Sequence, residues 1–334
     1  QAKPVNGQLP SEEEVEKAKD IIRMSVARSC HLEPLQEFDL PVDKRALVVG
    51  GGISGMTSAL SIAKQGHEVW LVEKEKELGG MVRKLHYTLE GLDVQAFLKD
   101  LVAKVYSHPM IHVYTGATIP EATGYVGNFQ TKIESSRGTV EIKHGATVIA
   151  IGADLYTPTE YLYGKDDRVM NHLELEEKIA AGDEKVLGAK SAVMIQCVGC
   201  RNEERNYCSR ICCSESIKNA LLLKERNPDM DVCVLFRDMR TYGFKEDYYR
   251  EAAGKGVRFI RYEPDNKPLV EPGKAEDGRD VLKVTAPDYV LGKGIEIDAD
   301  LVVLAAAIIP SAESQDVSKL FKVALGPDGF CQEA

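Results

Sequence analysis

The chain has 334 residues, of which 44% are hydrophobic and 28% charged, and its net charge is −10. This composition is typical of a globular protein of roughly two domains. The acidic balance argues against nucleic acid or an anionic membrane as the main partner. No apolar run approaches the ~20 residues that a membrane-spanning helix needs, so we expect no transmembrane segment.

Eight cysteines occur in a chain whose polar start resembles no signal peptide. This combination favours metal or redox chemistry in a reducing, cytoplasmic compartment over structural disulfides. The sequence lacks an initial Met and ends in "GPDGFCQEA", so we expect a fragment of a longer protein.

The first predicted element is a helix close to the N-terminus. Ser11 and Glu14 form a predicted capping box, and Val15, Ile22 and Val26 recur at helical spacing. We assign residues 1–40 to an N-terminal helical segment that docks on a domain or on a partner.

A strand, a glycine turn, a helix and a second strand follow in "RALVVGGGISGMTSALSIAKQGHEVWLVEK". Gly50, Gly52 and Gly55 form a G-x-G-x-x-G, and Glu73 closes the second strand. Such glycines permit a tight turn, close approach to a pyrophosphate and tight helix–strand packing. The helix N-terminus would face the phosphates, and Glu73 would hydrogen-bond the adenosine ribose. An ordinary glycine-rich turn is the alternative.

A second glycine pair, Gly79 and Gly80, follows in "VEKEKELGG", and Gly152 lies in "GATVIAIGA". These stretches resemble the FAD domain of two-dinucleotide-domain flavoproteins, which favours FAD over NAD. "LVVLAAAIIP" resembles the later strand that returns to that domain. The expected cofactor-binding residues are Gly50, Gly52, Ile53, Ser54, Gly55, Glu73, Lys74, Gly79, Gly80, Met81 and Gly152.

Short strands are predicted at 129–134, 138–143 and 146–151, before a second strand-to-helix unit opens with "SAVMIQCVGC". Its helix is predicted at roughly 212–226, and "DVCVLFRD" is its next strand. Two such openings suggest two nucleotide-domain-like units. The second unit has cysteines where a glycine loop is expected, and only Gly199 remains there, so a nicotinamide cofactor would lose its phosphate cradle.

The cysteine-rich stretch permits several chemistries. Cys197 and Cys200 form a C-x2-C pair, and Cys208, Cys212 and Cys213 follow. The spacing leaves a zinc site, a redox pair at Cys197–Cys200 and a [4Fe–4S] cluster open, and it favours the cluster. Spacing alone would choose Cys197, Cys200, Cys208 and Cys212 as ligands. The cations that would offset a negatively charged cluster are Arg201, Arg205, Arg210 and Lys218.

Four stretches together resemble the A-subunit of heterodisulfide reductase and its relatives outside methanogens: "GGGISGMTSALSIAKQGHEVWLVEKEKELGGMVRKLHYTLEG", "GYVGNF", "PTEYLYGKDDRV" and "CVGCRNEERNYCSRICC". The resemblance implies FAD as the site of flavin-based electron bifurcation, with a [4Fe–4S] cluster beside it. It implies that Cys200 is a spare thiol and that Lys218, otherwise a plain surface lysine, approaches the flavin ring near N5. The implied cluster ligands are Cys197, Cys208, Cys212 and Cys213.

We therefore predict an α/β, two-dinucleotide-binding-domain flavoprotein. Its FAD-binding domain comprises 41–160 and 299–334, and an inserted NAD-like domain at 186–298 carries the cysteines. The predicted function is electron transfer between FAD and the cluster within a multisubunit complex, in which the electron partner is ferredoxin or a disulfide-reducing subunit. The alternatives are a pyridine-nucleotide–disulfide reductase that uses Cys197 and Cys200, and a zinc-stabilised scaffold subunit.

Overall fold

Two parallel β-sheets, each covered by helices, dominate the computed structural model, which describes residues 11–34, 39–289 and 292–332. The helices are α1 Glu12–Cys30, α2 Ile53–Lys64, α3 Val94–Ser107, α4 His172–Ala181, α5 Glu184–Leu187, α6 Cys212–Arg226, α7 Lys245–Gly254 and α8 Ser314–Phe321. A 3-10 helix spans Gly80–Lys84.

The first group of strands lies in the N-terminal half of the chain. These strands are β1 Ala46–Val49, β2 Val69–Val72, β3 Ile111–Tyr114, β4 Thr118–Tyr125, β5 Asn128–Ser135, β6 Gly138–His144, β7 Ala146–Ile149 and β8 Ala153–Leu155. The remaining strands are β9 Val169–Asn171, β10 Ser191–Val198, β11 Asp231–Phe236, β12 Arg258–Arg261, β13 Leu269–Lys274, β14 Asp280–Asp288, β15 Lys293–Ala299, β16 Leu301–Ala306 and β17 Ile308–Pro310.

The first parallel sheet has the strand order β3-β2-β1-β7. In register, Ala46 of β1 lies opposite Val69 of β2 and Ala146 of β7. Strands β1 and β2 are nearly continuous apolar runs, as expected for parallel strands that are covered on both faces. Helix α2 buries Met56 and Leu60 against this sheet, and the glycine turn joins β1 to α2 at the carboxyl edge of the strands.

The second parallel sheet has the strand order β12-β11-β10-β16-β9. All six residues of β16 are buried, and Leu301 lies opposite Ala192 of β10. Strand β16 therefore completes the second sheet, although the sequence placed 299–334 in the flavin-binding domain. Only the following strand, β17, leaves that sheet, because Ile308 pairs with Leu155 of β8. The pairing of β16 could not be read from its apolar composition.

Two antiparallel sheets, β4-β5-β6 and β13-β14-β15, complete the larger sheets of the described chain. The three strands predicted between 129 and 151 are confirmed as β5, β6 and β7. The third of them joins the first parallel sheet, so a change of direction after Gly145 separates it from β6.

The described residues before Val42 and those from Val42 onward form two compact units. In the first unit, the predicted capping box is confirmed, since the N–H of Glu14 donates to Ser11 Oγ at 3.2 Å and the N–H of Ser11 to Glu14 Oε2 at 2.7 Å. No residue of α1 is buried, and Ile22 is 62% exposed. Among residues that the structure describes, no helix combines the length and apolarity that spanning a bilayer requires.

Candidate functional site

A cavity of about 1150 Å³ lies at the carboxyl ends of β1 and β2. Every predicted cofactor-binding residue except Gly55 lines it: Gly50, Gly52, Ile53, Ser54, Glu73, Lys74, Gly79, Gly80, Met81 and Gly152. The residues predicted from the sequence thus form one wall of this cavity, whose size the sequence does not predict.

The glycine turn of this cavity has no room for side chains at two of its three positions. Gly50 has φ +105°, and a Cβ there would lie 2.2 Å from the carbonyl oxygen of Ala150. A Cβ on Gly55 would lie 1.8 Å from the carbonyl oxygen of Gly50, so Gly55 serves helix packing and not the cavity wall. A Cβ on Gly52 would meet no described atom within 4 Å. Gly52 is the N-cap of α2 and has no side chain to occupy the first-turn N–H groups, which suits an anion.

The carboxylate of Glu73 is held in the wall of the same cavity. Its Oε2 accepts the N–H of Gly51 at 2.5 Å, and its Oε1 accepts the N–H of Glu75 at 2.8 Å. Glu73 is only 7% exposed. These bonds hold an acceptor beside the turn where a dinucleotide ribose binds in proteins with this motif.

The second glycine pair is bonded to the first turn. The N–H of Gly79 donates to the carbonyl of Gly51 at 2.8 Å, and Gly79 and Gly80 have φ +123° and +55°. A Cβ on Gly80 would lie 3.4 Å from the Cα of Gly52. The two backbones therefore run past each other closely and form a cradle without side chains. This cradle, with the Glu73 carboxylate, fits the phosphates and ribose of FAD.

The five clustered cysteines lie between the end of β10 and the start of α6. Cys197 has φ +61°, while Cys200 and Cys213 are buried. Cys208 lies in the loop, and α6 begins only at Cys212. All eight cysteines of the chain are free thiols.

Electrostatic effects show that these thiols share one environment. The hydrogen bond with Cys200, together with burial, raises the pKa of Cys197, and the same bond lowers the pKa of Cys200. Burial, and then the neighbouring Cys213, Cys197 and Cys208, raise the pKa of Cys212 to about 12. No three potential ligands stand at metal-binding geometry in the described parts of the chain. The donor set has the chemistry that iron–sulfur clusters require, but the thiols would have to draw together around one.

One side-chain donor and one backbone donor contact sulfur in this loop. Arg201 Nη1 donates to Cys197 Sγ at 3.8 Å, and its Nη2 donates to Asp238 Oδ2 at 2.5 Å. The N–H of Arg210 donates to Cys208 Sγ at 3.4 Å. Positive charge and N–H donors at sulfur stabilise thiolates.

Lys218 is not a surface residue. It is 5% exposed, and its ammonium pairs with Glu176 and with Glu215, the latter at 2.8 Å. It also donates to the carbonyl of Tyr87 at 3.2 Å. Burial raises the pKa of Glu215 to about 7 although Lys218 opposes it. Burial also opposes ionisation of Glu176, but the bond from Lys218 keeps the pKa of that carboxyl below its ordinary value.

Lys218 lines a second, largely apolar cavity of about 490 Å³ rather than the larger one. The two cavities share three aliphatic residues, Ile53, Val82 and Ile211. The cavity that Lys218 lines therefore adjoins the space that the glycine turn borders.

Sequence reasoning missed a polar group on the far wall of the larger cavity. Tyr163 donates to Glu174 Oε1 at 2.8 Å and accepts from Asn171 Nδ2 at 3.1 Å, and all three line the cavity. Asn171 and Glu174 form the capping box of α4. An Asn three residues before Glu in "NHLE" was the available sequence signal.

Comparison with known proteins relates the chain to redox enzymes. The family model described as FAD dependent oxidoreductase matches residues 46–146. The chain is 31% identical to the A-subunit of the H(2):CoB-CoM heterodisulfide,ferredoxin reductase of Methanothermobacter thermautotrophicus, over 96% of this chain and 62% of the relative. It is 32% identical, with the same coverage, to the second iron-sulfur A-subunit of the CoB--CoM heterodisulfide reductase of Methanopyrus kandleri. The chain thus spans about three fifths of the length of these curated relatives.

Solved structures with the same fold include the thioredoxin reductase of T. acidophilum, with a TM-score of 0.53 at 15% identity, covering 88% of this chain and 84% of that one. The NAD-dependent persulfide reductase of A. fulgidus has a TM-score of 0.52 at 22% identity, covering 85% of this chain and 49% of that one. These likenesses concern the fold alone. With the family match, they confirm the predicted α/β, two-dinucleotide-binding flavoprotein architecture.

Proposed function

We propose that the chain is a member of the heterodisulfide reductase A-subunit family, to which it is about 30% identical, and that it transfers electrons between FAD and a [4Fe–4S] cluster. One observation carries the proposal: Ser209 and Ile211 of the cysteine loop line the same cavity as Gly50 and Gly52 of the glycine turn. A flavin on the turn and iron held by the loop would therefore be neighbours.

FAD would be held by the residues that line the glycine turn and by Glu73. The free N–H groups at the start of α2 would bind its phosphates, and the Glu73 carboxylate would accept a hydrogen bond from its ribose. The bound flavin supplies the exchange of two electrons. The protein supplies a cavity with both polar and apolar walls, in which Ile53 and Val82 form part of the apolar wall.

We propose Cys197, Cys208, Cys212 and Cys213 as the cluster ligands. The mutual electrostatic influence of the five clustered thiols supports a thiolate centre, and the resemblance to the heterodisulfide reductase A-subunit implies this choice of four. Arg201, which touches Cys197, and the N–H of Arg210, which touches Cys208, would offset the negative charge of a thiolate centre.

Lys218 is proposed as the cation that stabilises negative charge on the flavin ring. Its position in the smaller cavity supports this role only for a ring that reaches past Ile53 and Val82. The ion pairs with Glu176 and Glu215 hold the ammonium at a fixed place. This arrangement would keep the charge available without movement of the lysine.

We further propose that the chain works in the cytoplasm with the other components of a heterodisulfide-reductase-like complex. Ferredoxin or a disulfide-reducing subunit would exchange electrons with it, and the flavin would send its two electrons to acceptors of different potential. The names of the relatives, which include both heterodisulfide and ferredoxin, support this choice of partners.

Anaerobic purification followed by a visible spectrum and by FAD and iron quantitation tests the proposal. We expect about one FAD and about four iron atoms per chain, because four thiolates ligate one such cluster. A colourless, zinc-containing chain would favour a scaffold instead. Rapid flavin reduction by NADPH with cycling of Cys197 and Cys200, which hydrogen-bond each other, would favour a disulfide reductase.

A further inference from the structure

Tyr156 forms part of the wall between the larger cavity and the cysteine loop. Its side chain lines the cavity that contains the glycine turn. On its other side, the ring packs directly on Gly199, which lies between Cys197 and Cys200: a Cβ on Gly199 would stand 2.1 Å from Tyr156 Cδ1. One aromatic ring thus touches both the space proposed for the flavin and the loop proposed for iron.

The position of this ring is fixed from several sides. The guanidinium of Arg205 lies over the ring, 4.7 Å from its centroid, and Arg205 Nη1 donates to the carbonyl of Gly199 at 3.3 Å. The backbone N–H of Tyr156 donates to the carbonyl of Ala307 at 2.8 Å. Arg205 therefore holds the ring and the loop together, since a cation is attracted to the face of an aromatic ring.

Gly199 permits this contact because of its backbone and its lack of a side chain. Its φ of +80° is one that other residues rarely adopt, and any Cβ would push the ring towards the cavity. At Gly199, the separation between the cavity and the Cys197–Cys200 part of the loop is therefore the thickness of one ring on a bare backbone. It depends on Tyr156, Arg205 and Gly199 together.

We propose that Tyr156 is a positioning residue that sets the distance between the flavin and the Cys197–Cys200 part of the cysteine loop, and that Arg205 holds its ring in place. This inference rests on the proposed function. The hydroxyl of Tyr156 has no part in this role, since it donates to Glu160 Oε2 at 3.4 Å. Only the ring contacts Gly199.

The test uses the full chain, purified anaerobically, as Tyr156→Phe, Tyr156→Leu and Arg205→Gln. The flavin is photoreduced, and the rate at which one electron leaves it and the oxidised iron centre gains one is followed by absorption. Arg45→Gln is the matched control, because Arg45 lies over Trp70 at 5.3 Å, outside the cysteine loop. FAD and iron contents are measured for each variant.

We expect Tyr156→Phe and Arg45→Gln to stay within about twofold of the unaltered chain, and Tyr156→Leu to slow the transfer about tenfold or more, because small displacements of paired reactants cost large factors in rate. Arg205→Gln should slow it less. In the iron-free chain, alkylation of Cys200 should be faster in Tyr156→Leu than in the unaltered chain. The ring then no longer covers Gly199, the residue that directly precedes Cys200.

A Tyr156→Leu variant that keeps FAD and iron and transfers electrons at the unaltered rate overturns the inference. If that variant loses iron, Arg205→Gln decides: an unaltered rate and unaltered alkylation of Cys200 in that variant overturn it equally. An unaltered chain that binds no FAD or no iron contradicts the proposed function instead. The two failures are therefore distinguishable.

Discussion

Glu73 Oε2 accepts the backbone N–H of Gly51 at 2.5 Å, which joins the end of β2 to the glycine turn. The other oxygen of the carboxylate accepts the N–H of Glu75 at 2.8 Å. A single buried side chain thus satisfies two donors and holds the turn in the shape that the cavity requires.

Replacement of Glu73 by Ala should weaken FAD binding and the fold together. Each buried N–H left without an acceptor costs about 1–3 kcal/mol. Fluorescence titration with FAD and thermal unfolding would measure both effects. Glu68→Ala, which removes only a half-exposed carboxylate beside His112, is the control. Unchanged FAD affinity in Glu73→Ala would contradict the role given to this carboxylate.

The glycines of the turn should separate folding from cofactor binding. Gly55→Ala should destabilise the chain by about 1–3 kcal/mol, since its Cβ would collide with the backbone of Gly50. Gly52→Ala should change stability by less, since its φ is −73° and its Cβ meets open space, yet it should weaken FAD binding by filling the phosphate site. Unfolding curves and FAD content compare the two variants. Full FAD occupancy in Gly52→Ala would show that phosphates do not bind at this turn.

Serine substitutions should divide the five clustered cysteines into ligands and a spare. Cys197→Ser should lose most of the iron, because oxygen replaces a thiolate ligand, whereas Cys200→Ser should retain it. Iron content and the visible spectrum of anaerobic protein give the answer, with Cys233→Ser, a buried cysteine of β11, as a control for the loss of a thiol elsewhere. Loss of iron in Cys200→Ser with retention in Cys197→Ser would show that the proposed ligand set is wrong.

Lys218→Met should destabilise the protein by about 3–5 kcal/mol, because it leaves buried carboxylates without their cation. The double variant Lys218→Met with Glu176→Gln should recover part of that loss, as residues in contact are not additive. Denaturant unfolding measures each term. Lys104→Met, which breaks an exposed pair with Asp100, should cost about 0–1 kcal/mol. Equal losses for the two lysine variants would count against a structural role for the buried pair.

The stability of the fold should fall in acid because of His172. Burial, followed by the charge of Lys218, lowers the pKa of His172 from 6.5 to about 3. Its ring contacts Ser216 and Asn219, which offer no negative charge. Below pH 6.5 the His172 side chain therefore binds a proton in the unfolded chain but not in the folded one. The free energy of unfolding falls as the pH decreases from 6.5 to about 3.

The contribution of this one group has a slope of up to about 1.4 kcal/mol per pH unit. Unfolding measured at several pH values should show a shallower decline for His172→Gln than for the unaltered chain. The exposed His31, which follows α1, gives the control variant His31→Gln, which should leave the slope unchanged. Parallel declines in all three proteins would contradict the assignment.

Local sequence signals predicted the elements that local chemistry determines. The capping box at Ser11, the strand–glycine–helix unit after Arg45 and the helix over 212–226 all occur as predicted. Each of these elements is determined by residues close to it in the sequence.

Long-range arrangement could not be predicted in the same way. The apolar run of β16 does not reveal that its partners are β10 and β9, because all buried parallel strands have similar apolar sequences. The burial of Lys218 depends on Glu176, which lies 42 residues away. The contact of Tyr156 with Gly199 has no sequence signal, because tertiary packing alone brings the two residues together.

Helices α2 and α6 both begin without a side chain bonded to their first turn in the described chain, α2 at the glycine turn and α6 at Cys212. Such a start carries about half a positive elementary charge from the peptide dipoles. Dinucleotide phosphate and the thiolate centre proposed above are both negative, so one electrostatic effect would favour both ligands. The connections themselves differ, since the glycine turn spans 50–52 and the cysteine loop 199–211, so what the two halves share is the bare start of the helix that follows.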